Sequence, residues 1–79
     1  MLTRKSIRTE MITVEQRAFS VSYFEITTER GRRRYSAEVV IAPGDRIILD
    51  GGSLTDVEAR VELLVPATLY SRVLASRAA

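Results

Sequence analysis

The chain has 79 residues, 46% hydrophobic and 28% charged, with a net charge of +2, the composition of one small globular domain spanning residues 1–79. It contains no cysteine and no histidine, which excludes disulfides, thiolate metal sites and the usual imidazole base. At this length roughly 60% of the unfolded surface can be buried, so the core is thin and oligomerisation is the stabiliser left open.

Residues 1–6 read as a flexible tail. Ile7 to Val14 is rich in β-branched residues and reads as a strand. Glu15-Gln16-Arg17 interrupts it without Gly, Pro or Asn, so a bulge or a short helical turn is expected rather than a tight turn. Ala18 to Glu29 and Arg32 to Ala42 are the clearest elements, and Gly31 between them suits a hairpin. With Arg30-Gly31 as a two-residue loop, Phe24, Ile26, Tyr35, Ala37, Val39 and Ile41 share the core face. Phe19, Val21, Tyr23 and Val40 then fall on the opposite face, which should be polar if it met water.

Pro43-Gly44 predicts a turn, and Arg46 to Asp50 a third strand of the meander. A three-residue loop there sends Ile47 and Leu49 to the core and Ile48 to the second face beside Val40. Gly51-Gly52-Ser53 breaks the sheet. Thr55 with Glu58 makes a capping-box sequence, and Leu54, Val57, Val61 and Leu64 follow at helical spacing. Pro66 is expected to kink or break the helix. Beyond it, Leu69, Tyr70, Val73 and Leu74 make a separate apolar stripe, and Ser76 to Ala79 are expected to fray. The fold class is α+β: an antiparallel meander of three or four strands with a C-terminal helix, kinked or broken near Pro66, packed on one face.

Two surfaces stand out. Phe19, Val21, Tyr23, Val40 and Ile48 form one expected contact, and Leu69, Tyr70, Val73 and Leu74 another. A contiguous exposed apolar patch usually marks a protein interface, so the first expectation is a non-catalytic interaction module, homodimeric or docked on a protein partner. Arg30, Arg32, Arg33 and Arg34 crowd the hairpin tip, and cations beside an aromatic ring suit single-stranded nucleic acid, the second expectation. Strand alternation splits that run between two faces, and Glu25, Glu29 and Glu38 offset part of its charge.

Other chemistries are weakly supported. Gly51-Gly52-Ser53 precedes a helix as a phosphate loop does, but Asp50, Asp56 and Glu58 surround it and the Lys-Ser/Thr of a nucleotide-binding loop is missing. Asp50, Asp56, Glu58 and Glu62 lack the spacing of a calcium loop. Ser20, Ser22, Ser36 and Ser53 have no histidine to activate them, and a serine–lysine pair would need Lys5. No catalytic residue, cofactor or metal is expected.

The run Gly44-Asp45-Arg46-Ile47-Ile48-Leu49 followed by Gly52 and a helix resembles part of a PDZ domain. It lacks the carboxylate-binding loop of that family and any strand after the helix. The order of strands then C-terminal helix is similar to that of dimeric single-strand-binding transcriptional coactivators, with no shared residue motif, and no family is assigned. No apolar run approaches the ~18 residues of a membrane span. The basic start from Met1 to Arg8 has no apolar run behind it, so a cytoplasmic chain without a signal peptide is expected.

Overall fold

The computed structural model describes residues 2–14 and 16–78, with side chains described through Arg72. Four strands lead into one helix: β1 (Thr3–Val14), β2 (Arg17–Thr27), β3 (Arg33–Ala42), β4 (Asp45–Gly51) and α1 (Leu54–Ala78). The strands form one antiparallel sheet in the order β1-β2-β3-β4. With α1 packed on one face of the meander, the architecture is α+β.

The β2–β3 loop decides which side chains meet α1. Thr28 N–H donates to the Arg32 carbonyl at 2.8 Å, and Gly31 N–H donates to the Thr28 carbonyl at 2.9 Å. Gly31 has φ 78, and Thr28 Oγ1 accepts from Arg32 N–H at 3.1 Å. This is a three-residue loop, Glu29-Arg30-Gly31, in which a turn is followed by a left-handed glycine. The expected two-residue loop Arg30-Gly31 demands φ > 0 at its first central position in either favoured turn type, and an arginine there is strained.

One extra loop residue shifts β2 by one position and turns all its side chains over. Tyr23 pairs with Ala37 and Val21 with Val39. Phe19, Val21 and Tyr23 are therefore buried in the core with Ala37 and Val39, not displayed on the second face. Phe24 and Ile26 go to the opposite face, half-buried, instead of into the core. The expectation for β3 holds: Tyr35 and Ile41 pack against this core.

At the β3–β4 turn, Ala42 pairs with Asp45 and the register shifts between Val40 and Ala42. Gly44, with φ 78 after Pro43, closes it. The bulged residue restores the expected parity, so Ile47 and Leu49 pack on the core while Ile48 and Val40 stay outside. The N-terminal residues differ from a tail. Thr3 to Ser6 pair with Thr27 to Phe24, and Arg4 lies 3.7 Å over the Phe24 ring while bonding Glu38 at 3.0 Å. Gln16 takes φ 66 between the paired residues Val14 and Arg17, where a bulge or helical turn was expected. Glu15 lies outside the described residues.

The helix starts earlier than its sequence suggests. Ser53 Oγ accepts from Asp56 N–H at 3.1 Å, and its carbonyl accepts from Val57 N–H at 3.2 Å. Ser53, rather than Thr55, is thus the N-cap. Gly51 is needed for close approach, since a Cβ there would sit 2.9 Å from Val57 Cγ2. The helix is unbroken across Pro66 and continues to Ala78, through Ser76 to Ala78 of the segment expected to fray; Ala79 lies outside the described residues. Among the described side chains Val57, Val61, Val65 and Leu69 are its buried residues. Steps of four advance the stripe about 40° each time around the helix, so from Val57 to Leu69 it winds across the axis. Leu64, expected on the buried face, is 38% exposed.

The register makes a direct prediction. Tyr23→Ala should cost about 3–5 kcal/mol of stability, as for a fully buried aromatic, and Phe24→Ala less than half of that. Urea denaturation of the two variants compares them. A larger loss from Phe24→Ala would restore the two-residue loop.

Candidate functional site

Helix α1 rests chiefly on β3 and β4, and an open groove runs between it and β1. Arg8, Glu10, Ile12, Thr13, Val14 and Tyr23 line it from the sheet, and Glu58, Val61, Glu62 and Pro66 from the helix; its volume is about 440 Å³. Strand alternation accounts for the sheet wall. Beyond the bulge at Ile7, Arg8, Glu10 and Ile12 pair with Tyr23, Val21 and Phe19 and share their face.

The polar end of the groove is internally bonded. Arg8 bonds Glu58 and lies 3.5 Å from Glu10, with its guanidinium 4.4 Å over the Tyr23 ring. The bond to Glu58 pushes the Arg8 pKa up, against the effect of burial. Burial first, then the charge of Glu10 and a hydrogen bond to it, push the Tyr23 phenol up to about 12, with Arg8 opposing. Tyr23 is thus a neutral donor at physiological pH, and both carboxylates facing Arg8 are engaged by it. These groups hold the strand to the helix; none is placed as a nucleophile beside a base. Among the described residues no group of three or more acidic side chains could hold a metal ion.

The hairpin arginines separate as alternation requires. Arg33 lies 3.9 Å from Glu25, and Arg34 pairs with Ile26 on the face away from α1. Arg32, Arg33 and Arg34 nonetheless line a second open cleft with Thr28 and Gly52, about 490 Å³ in volume. Arg30 is exposed on the loop but is not part of that lining.

The expected apolar contacts are mostly dispersed. Phe19, Val21 and Tyr23 are core, as is Leu69. Val40 and Ile48 do lie in water, 49% and 60% exposed, on the face that α1 leaves uncovered. Met11, 63% exposed, joins them, because Thr9, Met11 and Thr13 alternate onto that face. Tyr70 is 53% exposed on the outer side of α1, and Leu63, which the sequence did not single out, is 73% exposed. The side chains of Val73 and Leu74 lie outside the described residues. Glu38, in the middle of the uncovered face, is gripped by Arg4 at 3.0 Å and Arg46 at 2.8 Å.

The groove was missed in the sequence because Arg8, Glu10 and Glu58 come from segments about fifty residues apart. The signal that was present is the alternation Arg8, Glu10, Ile12, Val14. No family model, no curated protein and no solved structure matches the chain. No helix among the described residues is long and apolar enough to cross a membrane.

Because the folded-state pKa of Tyr23 lies above the ordinary value of 10, the unfolded chain loses that proton first as pH rises. Stability should therefore be intact below about pH 10 and decline toward pH 12. Phenolate absorbance should show a late step near pH 12 that Tyr23→Phe abolishes. A Tyr23→Phe titration that keeps this step would show that the phenol is not held as described.

Proposed function

We propose that the domain is a non-catalytic protein-interaction module that works as a homodimer and offers the uncovered face of its sheet to a protein partner. One observation carries this reading. A single helix packs on one face of the sheet, chiefly over β3 and β4, while Met11, Val40 and Ile48 remain about half exposed or more on the other. Exposed apolar side chains gathered on one sheet face are the usual mark of a contact surface. The core favours assembly too: among the described residues its nine buried hydrophobic residues include five valines on β2, β3 and the first half of α1, a thin interior for a chain without disulfides.

Sedimentation velocity tests the assembly, with a dimer expected by about 100 µM. A monomer at that concentration removes the homodimer from the reading. The double variant Val40→Asp/Ile48→Asp should leave the dimer dissociation constant within about threefold of wild type, because the face serves another protein. Dissociation of that variant would make the face itself the dimer contact and remove the case for a separate partner.

A second reading rests on the cleft lined by Arg32, Arg33 and Arg34. Three arginines beside an exposed turn suit the phosphates of a single strand. Titration with a labelled oligothymidylate at two salt concentrations should then show binding that weakens steeply with salt, and Arg32→Ala/Arg34→Ala should abolish it. No binding at low salt would eliminate this reading.

A further inference from the structure

We infer that the second copy in the homodimer pairs through β1, antiparallel and in register about Thr9, so that two sheets fuse into one of eight strands. The inference rests on the homodimer reading above and specifies its geometry.

β1 is a long terminal strand of the sheet, with an unpaired row of backbone donors and acceptors along its outer edge. α1 lies chiefly over β3 and β4, so it does not crowd the approach of a second sheet to β1. The sequence at the centre of the edge is Ile7-Arg8-Thr9-Glu10-Met11. Laid antiparallel on itself about Thr9, it is complementary at each position. Arg8 meets the partner's Glu10, Glu10 meets the partner's Arg8, Ile7 meets the partner's Met11, and Thr9 meets Thr9.

Sliding the register by two residues in either direction destroys the match. One slide sets Glu10 against Glu10, the other Arg8 against Arg8, and like charges directly opposite are destabilising. Sliding by one places residues of opposite faces against each other. Thr9 is therefore the centre that charge selects.

The geometry of the subunit agrees. Arg8 and Glu10 already lie on one face, 3.5 Å apart, so two such pairs around the dyad alternate in sign. Ile7 and Met11 are 38% and 63% exposed in the single subunit, and each would gain an apolar neighbour. In-register overlap is confined to residues 7–11, about five backbone hydrogen bonds, because the bulge at Ile7 turns residues 4–6 to the face opposite that of residues 12–14. The grooves of the two subunits would then meet at the dyad, and the two uncovered faces would form one continuous platform on the side away from both helices.

The absence of cysteine makes a clean test. Residues directly opposite in an antiparallel pair have Cα atoms within disulfide range. Thr9→Cys should oxidise to a covalent dimer under mild oxidant. Thr13→Cys should not, since its two copies would be about 27 Å apart along the paired strands. Glu10→Arg alone should raise the dimer dissociation constant about tenfold or more, and so should Arg8→Glu. An equimolar mixture of these two variants should recover the affinity as a heterodimer, since each remaining contact then joins opposite charges.

Circular dichroism confirms that each variant is folded, and the cysteine pair gives the geometry even if Arg8→Glu does not fold. With a dimeric wild type, Thr9→Cys and Thr13→Cys variants that cross-link equally, a Thr9→Cys variant that does not cross-link, or a mixture that does not recover affinity overturns the β1 register while homodimerisation stands. A monomeric wild type overturns both.

Discussion

The conformation of Gly31 is the constraint on which the sheet depends. Its φ of 78 closes a three-residue loop, and the odd number of loop residues fixes the parity of β2 against β3. Parity in a strand is all or nothing: each side chain goes to one face or the other. Once Tyr23 is opposite Ala37 and Val21 opposite Val39, Phe19, Val21 and Tyr23 enter the core together. The alternative parity would bury Phe24 and Ile26 and leave Phe19, Val21 and Tyr23 in water. Loop chemistry and hydrophobic burial thus favour the same register, as expected of a sequence that specifies one fold.

A sheet covered by one helix has two unlike faces, and the polar groups of this chain are distributed to suit them. On the uncovered face Glu38 sits between Arg4 of β1 and Arg46 of β4, so one carboxylate links three strands. Arg4 also covers the Phe24 ring, shielding an aromatic that would otherwise stand in water. On the helix side, Arg8 ties β1 to Glu58 of α1, and Arg72 ties the far part of α1 to Asp45 at the β3–β4 turn. These ion pairs are partly exposed, so each is individually weak. Two of them, Arg8–Glu58 and Arg72–Asp45, join the helix to opposite ends of the sheet.

The groove beside β1 follows from that arrangement. A helix seated over β3 and β4 leaves the other half of the same face to side chains that water can reach, and the chain supplies Arg8 and Glu10 there. Tyr23 sits at the boundary, its ring buried and its hydroxyl held neutral by burial and by the nearby charge of Glu10. Its charged form is disfavoured by burial and by neighbouring carboxylates. The result is a polar seam that holds its charges close to the open edge of the sheet. That position makes the edge selective in what it can pair with, because a strand laid against it must answer one positive and one negative charge in a fixed order.

By itself the sequence determined the α+β order, the β3 face from Tyr35 to Ile41, the turn at Pro43-Gly44, and the exposure of Val40 and Ile48. These rest on local signals: alternation, a Pro-Gly turn and helical spacing. It also held, unread, the rule that Arg30 resists the positive φ a two-residue loop requires, and the antisymmetric charge order around Thr9. Tertiary structure alone decided that Pro66 could stay within an unbroken helix, where packing of Val65 and Leu69 on either side outweighs one missing hydrogen bond. It also decided that Thr3 to Ser6 join the sheet, because Arg4 finds Phe24 and Glu38 only after β2 and β3 have paired. The gathering of Arg8, Glu10, Tyr23 and Glu58 is of the same kind. Contacts between residues distant along the chain have no local pattern, and they exist only once register and helix position have been set.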